Sequence, residues 1–216
     1  PEDTTAAAVV LGDYATLKFD FGQGSRYVFE HHRRIKILDK SAFNRGNIQI
    51  YLYGDDQISG LKAQTISRGS GQTFRLKSRD FYEEEFTEGV RVMKFTFPNL
   101  EEGAVIEYTY TIMSSRIVQL RSWYYQHDIP TRWSELRMDI PVWFEYLFLT
   151  NGRSPEISEQ ERITQNFRVV RYKTKQAGMS GAYKQASGTA TMSGEVARYR
   201  FAMENVPALQ KEAFIT

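Results

Sequence analysis

Apolar and polar residues alternate along most of this chain. The period of two puts successive side chains on opposite faces of a β-strand. Residues 14–21 set Ala15, Leu17, Phe19 and Phe21 against Thr16, Lys18 and Asp20. Residues 26–38 read as one long extended strand, bent near its middle. Residues 47–53 group Ile48, Ile50 and Leu52, and residues 90–97 group Met93, Phe95 and Phe97. Residues 58–67 and 72–76 flank Arg68-Gly69-Ser70-Gly71, a hairpin signal. Residues 134–141 alternate Leu136, Met138 and Ile140 with Glu135, Arg137 and Asp139, and Pro141 ends the strand or marks an edge. Residues 145–152 predict a strand running into an Asn-Gly turn, and residues 166–174 and 195–203 predict the last two strands.

The stretch FPNLEEGAVIEYTYTI, residues 97–112, joins a polar turn over Pro98–Gly103 to a half-buried strand. Its apolar face carries Ile106, Tyr108, Tyr110 and Ile112; its polar face carries Val105, Glu107, Thr109 and Thr111. The pattern predicts that Tyr108 and Tyr110 pack inward, that residues 90–113 form a hairpin, and that Gly103 takes a positive φ. Short helical turns are expected near 156–161 and within 80–89, a crossing between sheets near 114–123, and a long mobile hairpin loop over 175–194, which is rich in Gly, Ser, Ala and Thr. The fold class that follows is all-β: a large antiparallel two-sheet β-sandwich of about a dozen strands, with at most one or two short helical turns. Residues 1–206 read as one domain, because no Pro/Gly linker divides the chain.

Composition narrows the functions open to this fold. A chain of 216 residues buries enough surface to fold without a staple. It has no cysteine, which excludes disulfides, thiolate nucleophiles and cysteine-ligated zinc within it. The net charge of +2 is not the concentrated basic charge of a nucleic-acid protein. No apolar run reaches the length of a membrane-spanning helix. No cofactor or metal motif is present.

Three stretches invite chemistry. His31 and His32 are adjacent on a strand and point to opposite faces, so they do not converge on one metal. They read as part of a basic strand paired with acidic neighbours; an anion-binding stripe of His32, Arg34 and Lys36 is the sharper alternative. His127 and Asp128 suggest a catalytic couple, but no serine motif or cysteine completes it. Trp123, Tyr124, Tyr125, Trp133, Trp143 and Tyr146 either fill the space between sheets or stack on sugar rings, and Trp123, Tyr125, Trp133 and Trp143 are the candidate ligand or partner surface. Glu83, Glu84, Glu85 and Glu88 lack calcium-loop spacing and read as an exposed charged edge, with a glycoside-hydrolase carboxylate pair as the alternative.

Several of these stretches together resemble a known family: HHRRIKIL, LKAQTI, FPNLEEGAVIEYTYTI, WYYQHDIPTRWSELRMDIP and the ending ENVPALQKEAFIT. They are similar to the N-terminal domain of unknown function that precedes a transglutaminase-like core in exported bacterial proteins, especially of Bacteroidetes. Phe97 stands where that family's motif has leucine. The resemblance implies a signal peptide before this domain, a periplasmic or cell-surface location, and a C-terminal transglutaminase-like domain of the same chain as partner. It makes residues 207–216 the linker into that core, and it places any Cys–His–Asp set in the core and none here. The expected role is a non-catalytic accessory domain that positions or covers the core or its substrate, a peptide or glycan among the ligands; a carbohydrate-binding module built on the aromatics of 123–146 is the alternative.

Overall fold

The alternating segments become strands wherever a neighbour satisfies their backbone. The computed structural model describes residues 5–22, 24–150, 152–176 and 182–209, and among them eleven strands form two sheets. The first strands are β1 (Ala8–Asp20), β2 (Arg26–Ile37), β3 (Asn47–Tyr53), β4 (Gln57–Ile66), β5 (Thr73–Arg75) and β6 (Tyr82–Thr87). They are followed by β7 (Val90–Thr96), β8 (Val105–Ser114), β9 (Thr131–Pro141), β10 (Ile157–Gln176) and β11 (Ala182–Val206). Eight strands make one sheet in the order β10-β11-β9-β1-β2-β8-β4-β5, and three make the other, β3-β7-β6. Short 3-10 turns occupy Lys40–Gly46 and Ser78–Asp80.

The core lies between the sheets. Leu17 and Phe19 of β1, Phe29 of β2, and Ile106, Tyr108, Tyr110 and Ile112 of β8 are buried, as the alternation predicts. The small sheet supplies Ile50, Leu52 and Phe95 to the same core, with Phe95 edge-on to Tyr108 at 5.8 Å.

One pairing sets the topology. β1 lies parallel to β9, while every other neighbouring pair of strands among the described residues is antiparallel. Because β8 and β9 therefore run in the same direction on opposite sides of β2 and β1, the chain between them must cross a face of the sheet. Residues 115–130 make that crossing over the inner face, with Ile117, Leu120, Trp123 and Ile129 against the core.

The structure corrects five local expectations. Residues 90–113 are not a hairpin: β7 and β8 belong to different sheets, and Pro98–Gly103 carries the chain from one to the other. Both flanking apolar residues, Phe97 and Ile106, are buried, so the turn spans the core instead of folding one ribbon. Residues 145–150 form no strand; β11 already occupies the edge of β9, and Leu147 and Leu149 stand in solvent. The two predicted helical turns are strands β10 and β6, because cross-strand partners decide where intrinsic preference is weak. The expected mobile loop is mostly β-ribbon, paired from Ile157↔Ala202 to Gln176↔Ala182, and only its middle, 177–181, lies outside the described residues. Of the expected linker, Pro207–Leu209 is described; 210–216 lie outside the described residues.

The inter-sheet turn is held by its own chemistry. Gly103 has φ +89°, and a Cβ there would sit 2.2 Å from Arg68 Cδ. Gly103 donates its N–H to Ile37 O at 2.7 Å, and the Thr65 hydroxyl donates to Pro98 O at 2.7 Å. Truncating Tyr108 to Ala is expected to cost about 3 kcal/mol or more in urea unfolding, the scale of a buried aromatic removal. Thr109→Ala, one residue along on the other face, is expected to change stability by less than about 0.5 kcal/mol.

Candidate functional site

The register across four strands builds a polar cluster inside the core. Asp13 of β1 faces inward, opposite Arg33 of β2 and Ser134 of β9. Asp13 is only 2% exposed. It accepts from His31 Nε2 at 2.6 Å and from His127 Nε2 at 3.2 Å, and Arg33 Nε lies 3.4 Å away. His31 belongs to the sheet and His127 to the crossing segment, so one carboxylate fastens the two together. The His31 ring stands edge-on to Tyr108, Tyr110 and Trp123, with centroids 5.8, 4.9 and 5.5 Å away.

The electrostatics follow from burial against pairing. Burial alone would raise the Asp13 carboxyl, but the His127 and His31 hydrogen bonds and the Arg33 charge outweigh it and hold it well below the usual carboxylate range. Burial pushes His31 below the ordinary histidine value despite Asp13 beside it. A neutral ring donating from Nε2 fits both directions. It leaves Nδ1 a bare acceptor, and that atom is buried with no partner among the described residues. Burial likewise raises the Tyr108 and Tyr110 phenols.

This cluster has the residue types of a catalytic couple and the surroundings of a structural one. Ser134 is fully buried, and its hydroxyl accepts from Trp123 Nε1 at 3.1 Å. The neighbouring pair singled out in the sequence is split: His127 turns in to Asp13, whereas Asp128 turns out and receives both Arg45 Nη atoms at 2.8 and 2.7 Å. Asp13, the partner that matters, lies 114 residues from His127 in the chain. Its only sequence signal is an acid on the apolar face of a strand.

The aromatic candidates occupy three places. Trp123 packs on Phe29 and His31, and Tyr125 stands nearly perpendicular to it at 81°. Trp133 lies on the outer face of β9 and donates to Glu135 Oε2 at 3.1 Å. Trp143 packs against Phe21 and Phe167. No flat platform gathers the four. His32 meets Glu107 at 2.7 Å and Arg34 lies 3.6 Å from the same carboxylate, the paired basic strand that the charge pattern suggests. Glu83 pairs with Arg91 and Glu84 with Lys94 on β6, an exposed edge strand. No His/Cys/Asp/Glu group among the described residues could hold a metal ion.

A cleft of about 450 Å³ opens between β3 and the crossing segment, lined by Gln49, Tyr51, Tyr53, Asp56, Arg121 and Tyr124, among others. Arg121 donates to Asp56 Oδ2 and to Tyr51 O, both at 2.9 Å. Asp56 Oδ1 and Arg121 Nε are buried without a partner among the described residues. The sequence pattern pointed to Tyr124 but not to the β3 tyrosines, which alternate like ordinary strand residues.

Residues 24–210 match DUF3857, a domain of unknown function with a solved structure. The chain belongs to this family. None of the curated proteins matches it. Among solved structures, a candidate protease from Parabacteroides distasonis is similar with a TM-score of 0.59 and 13% identity, over 96% of this chain and 37% of that one. A zinc metallopeptidase mutant of the M1 class from Deinococcus radiodurans is similar over 90% of this chain and 42% of that one, at 10% identity and a TM-score of 0.35. The DUF3857 chain thus spans well under half the length of either, and the first likeness shows a shared fold.

The histidine position generates a pH dependence. A buried His31 with a lowered pKa takes up its proton more readily unfolded than folded. Stability is therefore expected to fall as pH drops below the unfolded histidine value of about 6.5. Urea midpoints between pH 7.5 and 5 should decline in the parent chain, and the slope should flatten in His31→Gln.

Proposed function

We infer that this DUF3857 domain is a non-catalytic accessory domain of a larger exported protein, packed beside a transglutaminase-like core and positioning or covering it or its substrate. The observation that carries the reading is an exposed apolar strip in the segment that follows β9. Trp143, Leu147 and Leu149 are 47%, 84% and 86% exposed on one short segment after β9. Such strips suit a partner surface. The Tyr146 hydroxyl of that segment donates to Ile117 O of the crossing segment, and Leu209 N donates to His127 O of the same crossing at 2.7 Å. The crossing thus touches this segment near one of its ends and the chain after β11 near the other. The fold shared with a longer candidate protease fits a module attached to a core that processes peptides.

A second reading, binding of a glycan, has the tyrosine-lined cleft in its favour: Tyr124 is 69% exposed there, and buried polar atoms await partners. Only one residue of the sequence-predicted aromatic set lies in it. A glycan array with and without Tyr124→Ala separates this reading from the first.

The accessory reading is tested in the full-length protein. Leu147→Ser with Leu149→Ser should raise amide hydrogen exchange at the domain–core contact and alter core activity several-fold, while the unfolding midpoint of residues 1–216 stays unchanged. Peptide hydrolysis or amine cross-linking by purified residues 1–216 would sink it.

A further inference from the structure

The β10–β11 ribbon departs from the charge pattern of the rest of the chain. Residues 163–194 contain five cations, Arg168, Arg171, Lys173, Lys175 and Lys184, and no Asp or Glu. Setting those five aside leaves 23 Lys and Arg against 26 Asp and Glu, a balance of −3 for the remainder. Elsewhere cations sit against carboxylates, as Arg33, Arg45, Arg91, Arg121, Arg198 and Arg200 do. Along the ribbon the last such pair is Arg162 with Glu195, at 3.9 Å. Beyond it, none of the five has an ion pair among the described residues.

The geometry makes this basic stretch an arm. β11 pairs with β9 only from Val196 onward, so residues 182–195 have β10 alone as neighbour. The last anchors are Phe167, buried against Phe21 and Trp143, and the bridge Phe21↔Val169. Past Val169 the ribbon continues for seven residues of β10, roughly 23 Å. Residues 171–175 and 184–189 are all exposed. Arg171, Lys173 and Lys175 alternate onto one face, about 6.8 Å apart. Tyr172 is 58% exposed on the other. A solvated two-stranded ribbon is marginal by itself, and aligned cations repel. Counter-anions from a partner would relieve both.

We propose that this arm binds an anionic phospholipid surface at the membrane periphery, through the row of Arg171, Lys173 and Lys175 on one face; Lys184, opposite Thr174, lies on the other. A row of Lys and Arg near such a surface gains from its negative potential. A domain following this one is the wrong occupant. β11 runs from the tip back to Val206, so the chain leaves about 80 Å of strand away from the tip. A nucleic acid fits less well, because the arm also exposes Tyr172 and Met192. The inference stands apart from the accessory reading, which rests on Leu147 and Leu149 and not on the cations of the arm.

Co-sedimentation of the 216-residue chain with vesicles of phosphatidylcholine, alone or mixed with phosphatidylglycerol, tests it. The parent should partition onto mixed vesicles only, and high salt should release it. The combined substitutions R171Q, K173Q and K175Q should lower that partition by about a hundredfold, the combined effect of three cations at such a surface. All three side chains are exposed, so the thermal midpoint should not move. Equal partition onto both vesicle types, or undiminished binding by the variant, would overturn the proposal. Retention on a DNA duplex with none on mixed vesicles would overturn it in favour of a nucleic-acid partner.

Discussion

A single buried carboxylate holds the architecture together. The parallel pairing of β1 with β9 obliges the chain to cross two strands on the inner face, and a crossing segment without regular structure must find partners for its polar groups. Asp13 meets that need from the sheet. It joins Arg33 and His31 of β2 to His127 of the crossing, while the neighbouring Ser134 receives Trp123 from the same crossing. Breaking a buried charge pair is far costlier than never having made it, because the surviving charge is left without water or partner. The cluster therefore selects one path for residues 115–130 among the many that hydrophobic packing alone would tolerate.

The outer face of the same sheet uses charge differently. Glu135 and Asp139 of β9 are nearly buried although they point away from the core, because Arg137, Arg198 and Arg200 lie over them. Arg198 grips Asp139 with Nε and Nη2 at 2.7 and 3.0 Å, and Arg200 reaches Glu159 of β10 as well. These pairs lace β9, β11 and β10 side by side, partly screened from solvent. They end where β11 loses contact with β9. The change from paired to unpaired charge thus coincides with the change from sheet to free ribbon.

The candidate surfaces sit at the margins of this frame. The aromatic cleft lies where the crossing meets the free edge of β3, and Arg121 occupies backbone groups of that edge that another strand could otherwise pair with. The apolar strip follows β9, and the basic arm lies at the far end of β11 from Val206. A rigid two-sheet body separating such surfaces suits a module that holds things in place, and the family likeness to DUF3857 is compatible with that without specifying a partner.

The sequence by itself determined the face of nearly every strand. Period-two alternation placed Ile106, Tyr108, Tyr110 and Ile112 inward, because side-chain direction along a strand is a local property. It also located the positive-φ glycine at 103, a demand of one turn's backbone. Which strands pair was decided only by the tertiary structure. The turn before β8 looks like a hairpin and is a passage between sheets. Residues 145–150 alternate like a strand and find no free edge, whereas the weaker pattern of 157–165 finds a full partner in β11. Asp13 belongs to the same class of fact. A lone acid among apolar neighbours becomes a site only when His127, distant in the chain, is brought against it, and no local preference encodes that meeting.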